Sequence, residues 1–114
     1  MIRVGTDIIE INRVKESLDR FGERFLERFL NKSEIKIAKK VETIAGFWAA
    51  KEAISKALGV GIGKDLAFKD IIIFKNHNNS PYFKIKNNKF NIIESSISIS
   101  HDGGFAIAVV VIVV

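Results

Sequence analysis

Thr43-Ile44-Ala45-Gly46-Phe47-Trp48-Ala49-Ala50-Lys51-Glu52-Ala53-Ile54-Ser55-Lys56-Ala57-Leu58 decides the reading of this chain. Alanine loses no side-chain entropy in a helix, and Ile54 and Leu58 add apolar surface, so this stretch is the strongest helix of the sequence. Gly59 ends it, and Gly59-Val60-Gly61-Ile62-Gly63 follows as a glycine-spaced loop. Beyond the loop the pattern turns to strands. Phe68 to Phe74 carries Ile71-Ile72-Ile73, and Asn76-His77-Asn78-Asn79-Ser80-Pro81 is a turn by composition. Tyr82 to Lys86 returns as a strand. Ile93 to Ser100 alternates isoleucine with serine, as a strand with one solvated face would. His101-Asp102-Gly103-Gly104 reads as a turn, and Phe105 to Val113 as a closing strand.

Before the helix, residues 2–6 read as a short strand. After Asp7 the apolar residues Ile11, Val14, Leu18, Phe21, Phe25 and Phe29 recur every 3 or 4 positions, one stripe of an amphipathic helix that Gly22 divides. Ser33 is expected to cap a further short helix. The chain is thus α+β: a strand and helices packed on a mostly antiparallel sheet. There is no internal repeat.

The composition bounds what such a fold can do. The chain has 114 residues, enough for one domain, here 1–114, and 47% of them are hydrophobic, which excludes disorder for most of it. Cysteine is absent, so disulfides, thiolate zinc sites and cysteine nucleophiles are excluded. Two histidines are too few for a histidine-rich metal cluster. An acid at Asp7 argues against a signal peptide. The longest apolar run, Phe105 to Val114, is shorter than the roughly 20 residues of a membrane span. A cytoplasmic protein is expected. The net charge of +5 suits an anionic partner.

Few polar residues stand where fold logic alone does not put them. Asp7 ends an apolar strand, either as a helix cap or as a carboxylate that needs a partner. Glu52 and Lys56, four apart, share one helix face with Trp48, either as a surface ion pair or as part of a site. Two carboxylates from different elements suit Mg²⁺, which leaves its other positions to water and substrate phosphates. The glycine loop could bring backbone amides to a phosphate with Lys64 beside them, or simply end the helix. Ser98-Ile99-Ser100-His101-Asp102 is either a phosphate-contacting cluster or a polar turn; a catalytic triad is disfavoured because neighbours on a strand face opposite ways. All five arginines, Arg3, Arg13, Arg20, Arg24 and Arg28, lie in the first quarter, diluted by acidic residues. They form a recognition face or a solvated one.

Three segments together resemble the holo-[acyl-carrier-protein] synthase family, the small 4′-phosphopantetheinyl transferases. Gly5-Thr6-Asp7-Ile8-Ile9-Glu10-Ile11 is similar to the family's N-terminal motif. Trp48-Ala49-Ala50-Lys51-Glu52-Ala53-Ile54-Ser55-Lys56-Ala57-Leu58-Gly59 is similar to its central signature, and Ser98-Ile99-Ser100-His101 to its C-terminal one. The resemblance spans the chain. It implies transfer of the 4′-phosphopantetheine arm of coenzyme A to a serine of apo-acyl carrier protein, in support of fatty acid biosynthesis. It implies that Asp7 and Glu52 hold Mg²⁺ and that Glu52 and Lys56 are catalytic. Lys56, Gly59, Gly61, Gly63, Lys64, Ser100 and His101 would contact coenzyme A, with His101 near the adenosine 3′-phosphate end. Arg13, Arg24 and Arg28 would dock the acidic carrier protein. Family members are commonly homotrimers with sites between subunits; the apolar end Val109-Val110-Val111-Ile112-Val113-Val114 would be covered by a neighbouring subunit, or tucked into the centre of the sheet of a monomer. One departure stands out: Phe47 occupies a position where the family often has arginine.

Two other readings share these residues. A non-catalytic module for an acidic protein or nucleic acid rests on the charge and the arginines, and predicts salt-sensitive, Mg²⁺-independent binding. A phosphodiesterase using Asp7 and Glu52 lacks a further water-activating pair.

Overall fold

The computed structural model describes residues 1–86 and 89–114; the asparagines at 87 and 88, part of the asparagine-rich usage of the sequence, lie outside the described residues. Strand β1 (Ile2–Glu10) leads into helices α1 (Ile11–Phe21), α2 (Glu23–Phe29), α3 (Lys32–Ile37) and α4 (Val41–Ala57). A 3-10 turn (Phe68–Asp70) precedes β2 (Ile71–Lys75) and β3 (Pro81–Ile85), and β4 (Glu94–Asp102) and β5 (Phe105–Val113) complete the chain. The α+β reading holds, and the antiparallel strands fall into a three-stranded sheet, β1-β5-β4, and a two-stranded hairpin, β2-β3.

α4 lies across one face of the three-stranded sheet. Ala106, Ala108, Val110 and Ile112 of β5 are fully buried under it, alternating with exposed neighbours. Ala45, Ala49, Ala50, Ala53 and Ala57 are buried on α4 itself, so the alanines serve close packing as well as propensity. The closest approach is at Gly5 of β1. A Cβ there would overlap the Ala53 carbonyl group, so the absence of a side chain lets helix and strand meet. Phe25, Phe29, Trp48 and Phe68 form an aromatic cluster with ring centroids 4.7–6.2 Å apart, joining α2, α4 and the 3-10 turn.

Gly22 divides α1 from α2, as its place inside the apolar stripe predicts, with φ at +60°. Three local expectations are corrected. β1 runs to Glu10, so Asp7 sits within a strand and Glu10 takes the N-cap position of α1. The Ile8-Ile9 pair that resembles a helix start instead continues the pairing with β5, as Ile8 opposite Ile107 and Ile9 opposite Ala106. Asn31, not Ser33, precedes α3. Its backbone N–H donates to Glu34 Oε1 at 2.6 Å, which closes that helix start. The last turn is tighter than expected: His101 and Asp102 belong to β4, and Gly103 and Gly104, both at positive φ, make the reversal.

β5 is the central strand of its sheet, so its backbone is paired on both sides by this chain alone. Its second face is another matter. Ile2, Val4 and Ile8 of β1 stand exposed beside Phe105, Ile107, Val109 and Val111 of β5, one continuous apolar face directed away from α4.

Candidate active site

Asp7 lies on the α4 side of β1, two residues beyond Gly5, where the helix approaches the strand most closely. Lys56, from the last turn of α4, donates to Asp7 Oδ1 at 3.0 Å and to the Thr6 carbonyl oxygen at 3.1 Å. Glu52 is one turn earlier on the same helix face. Partial burial pushes its carboxyl above the usual glutamate range, the Asp7 charge pushes it the same way, and Lys56 pulls it back. The structure therefore brings together Asp7, Glu52 and Lys56, residues 45 or more positions apart for the strand–helix pairs.

This donor set fits Mg²⁺. Burial and the neighbouring Asp7 charge both disfavour ionisation of Glu52, which is what a place that gains from a cation shows. Among the described residues there is no group of three or more His, Cys, Asp or Glu side chains placed to hold a metal by themselves. A cation here would take its remaining ligands from water and substrate, as Mg²⁺ does and structural zinc does not.

The glycine loop is built differently from an amide cradle. Gly59 N–H donates to the Lys56 carbonyl at 3.0 Å, Gly61 N–H to the Ser55 carbonyl at 3.2 Å and Gly63 N–H to the Leu66 carbonyl at 2.9 Å. These donors are engaged within the chain. What the loop offers a ligand is a close-approaching backbone and the exposed Lys64.

His101 lies elsewhere, on edge strand β4, while Asp7 is on edge strand β1. It lines a cleft of about 390 Å³ with Lys40, Thr43, Phe47, Lys75, Asn79 and Pro81. Neither Asp7, Glu52 nor Lys56 reaches this cleft, so α4 carries the carboxylate–lysine cluster on one flank and the His101 cleft on the other. Strand alternation directs Ser100, opposite Ile107, to the apolar outer face, and His101, opposite Ala106, to the α4 side. Within one chain the two do not form one cluster. Phe47 is buried and walls the cleft. Lys40 and Lys75 bring positive charge to the cleft and Glu42 a negative one; sequence reading did not find the two lysines, which stand 35 positions apart with no motif around either.

Arg24 and Arg28 line a second surface hollow with Phe21, Glu27 and Lys69. The guanidiniums of Arg20 and Arg28 lie 5.3 and 5.9 Å from the exposed Phe21 ring, a cation–π arrangement. Arg13 lines a different, smaller hollow beside Ile9 and Trp48.

Comparison with known proteins identifies the family to which this fold belongs. Residues 3–110 match the model of the 4′-phosphopantetheinyl transferase superfamily. The chain is 56% identical to the holo-[acyl-carrier-protein] synthase of Sulfurovum sp. (strain NBC37-1), over 97% of this chain and 96% of that protein. It is 54% identical to the holo-[acyl-carrier-protein] synthase of Nautilia profundicola, over 96% and 97%. Among solved structures, the Helicobacter pylori holo-[acyl-carrier-protein] synthase in complex with coenzyme A superposes with a TM-score of 0.93 at 53% identity, covering 96% of this chain and 99% of that one. The Bacillus anthracis enzyme in complex with CoA (3′,5′-ADP) gives 0.84 at 40% identity, covering 96% and 94%. With the fold and identity over nearly the whole chain in agreement, the chain belongs to the 4′-phosphopantetheinyl transferase superfamily, in its holo-[acyl-carrier-protein] synthase family.

Proposed function

We propose that this chain is a holo-[acyl-carrier-protein] synthase that moves the 4′-phosphopantetheine arm of coenzyme A to a serine of apo-acyl carrier protein, in support of fatty acid biosynthesis. The observation that carries the reading is the meeting of Asp7, Glu52 and Lys56 between β1 and α4. The serine oxygen forms a bond to the pantetheine-side phosphorus of the pyrophosphate, its proton passes to solvent water, and the bond from that phosphorus to the bridging oxygen breaks, the oxygen leaving with the electron pair on adenosine 3′,5′-bisphosphate. Asp7 and Glu52 hold Mg²⁺, which when bound neutralises charge on the pyrophosphate. Lys56 places an ammonium where the leaving phosphate gains charge. Lys64 and the backbone of Gly59, Gly61 and Gly63 border the same ligand, and the His101 cleft, with Ser100 nearby in the fold, receives its nucleotide end. Arg13, Arg24 and Arg28 dock the acidic carrier protein.

In this reading residues 1–114 act as one transferase domain within a cytoplasmic homotrimer; among the described residues no helix is long and apolar enough to cross a membrane. Two features support assembly. The cluster and the cleft lie on opposite flanks of α4, so a neighbouring copy is needed to bring one against the other. The outer sheet face is apolar over two adjacent strands. The test is mass spectrometry of an apo-carrier protein incubated with the chain, coenzyme A and Mg²⁺. A gain equal to the phosphopantetheine arm is expected; no gain across several apo-carriers with folded protein would overturn the proposal.

A further inference from the structure

Lys51 and Glu34 are both fully buried, and their charged groups meet at 2.8 Å. The three Lys51 N–H donors are all used: on Glu34 Oε1, on the Phe29 carbonyl at 2.7 Å and on the Phe68 carbonyl at 3.0 Å. Glu34 accepts in turn from the backbone N–H of Asn31 at 2.6 Å and, through Oε2, from that of Ile73 at 2.9 Å. One pair therefore joins α4, the end of α2, the start of α3, the 3-10 turn and β2.

A buried ion pair is a weak source of stability, because desolvation offsets the attraction. This one is costly to bury and fully satisfied, which fits a device for orientation. Lys51 precedes Glu52 by one residue, so the side of α4 on which Lys51 is anchored sets the side on which Glu52 and Lys56 face β1. Ile73, held by Glu34, is two residues before Lys75, and β2 with β3 walls the His101 cleft through Lys75 and Pro81.

Resting on the proposed transferase activity, we infer that Lys51 and Glu34 are positioning residues: their buried pair locks α4 to the β2–β3 hairpin, fixing within each copy the flank that carries the carboxylate–lysine cluster relative to the flank that presents the nucleotide cleft to a neighbouring copy. Neither residue touches the reacting groups.

Lys51→Met alone leaves a buried, unpaired Glu34 charge and is expected to fold poorly. The test is the neutral pair Lys51→Met with Glu34→Gln, compared with the parent chain at temperatures equally far below each melting point. Amide hydrogen exchange in residues 71–85 is expected to quicken at least about ten-fold while the rest of the sheet keeps its protection. In the same preparation kcat/KM for coenzyme A is expected to fall at least about ten-fold. Parent-like exchange in the hairpin overturns the inference. So does parent-like turnover in the folded double variant, since a role confined to stability would restore activity together with folding. If the parent itself transfers nothing, the activity assignment fails, and the hairpin exchange alone still decides whether the pair locks the two elements.

Discussion

Lys56 Nζ of α4 lies 3.0 Å from Asp7 Oδ1 of β1, bridging the helix and the strand whose carboxylates share the site. Glu52 feels both groups, raised by Asp7 and lowered by Lys56. Lys56→Met is therefore expected to move the Glu52 titration to still higher pH, read by carbon-13 NMR of the carboxyl groups. Stability should change by no more than about 1 kcal/mol, because Lys56 is more than half exposed and its pair is solvent-screened. Transfer should fall by about 10²–10³, the scale for removing one charge-stabilising donor. A folded variant with parent-like turnover would remove Lys56 from the chemistry.

Glu52 also predicts a pH dependence. Its folded carboxyl titrates above the ordinary value of 4.5, first through burial and then through Asp7. The ionised form is thus disfavoured by folding. The relative stabilisation of the protonated form is complete below pH 4.5 and is lost as pH rises through the folded value. Glu52→Gln should raise the melting temperature of the metal-free chain at neutral pH and leave it unchanged below pH 4.5. Added Mg²⁺ should raise the melting point of the parent at neutral pH and do little for the variant. Calorimetric scans across pH, with and without Mg²⁺, check both; a lowered melting point for the metal-free variant at neutral pH would contradict the sign.

Gly5 predicts how far the site depends on backbone contact. Gly5→Ala drives a methyl group into the Ala53 carbonyl, and backbone on both sides must separate. Overpacking of this kind costs about 1–3 kcal/mol. A melting point lower by about 4 °C per kcal/mol is expected for a chain of this size. Activity should fall further than stability, because the same separation draws Asp7 away from Glu52 and Lys56.

How much of this was legible depends on how local each signal is. α4 is written in a run of alanines, and the observed helix, Val41–Ala57, spans the expected one within two residues. The division at Gly22 is equally local. Asp7 was harder, because Ile8-Ile9-Glu10-Ile11 suits a strand or a helix start, and only pairing with β5 decides between them. Asn31 wins the cap from Ser33 through Glu34, whose carboxylate is committed to a lysine 17 positions away. The motif residues Asp7, Glu52 and Lys56 could be named from the chain, whereas Lys40 and Lys75 could not. They meet only because α4 and the β2–β3 hairpin fold against each other, and no periodicity encodes that.

Carrier docking makes a kinetic prediction. Arg28 shares its hollow with Arg24 and Lys69 and lies over Phe21, away from Asp7 and Glu52. Arg28→Glu reverses a charge without touching the proposed chemistry. KM for an acidic carrier protein is expected to rise about ten-fold, with kcat and the KM for coenzyme A nearly unchanged. The difference from the parent should shrink as salt is added, because exposed charges are screened. Equal carrier KM values for parent and variant at low salt would place docking elsewhere.

The outer sheet face makes a prediction about assembly. Val109 stands at its centre, 40% exposed, opposite Thr6 on one side and Ser98 on the other. In an isolated chain Val109→Glu points into water and should leave folding intact. In an assembly that covers this face, it buries a carboxylate from every copy among valines and isoleucines, with no cation supplied by the face itself. Sedimentation equilibrium should show trimers for the parent and mostly monomers for the variant, with parent-like circular dichroism. Because the cluster and the cleft sit on opposite flanks of α4, dissociation should also remove turnover, and activity should return in part as protein concentration rises. A monomeric variant with full activity at every concentration would show that one chain completes the site alone.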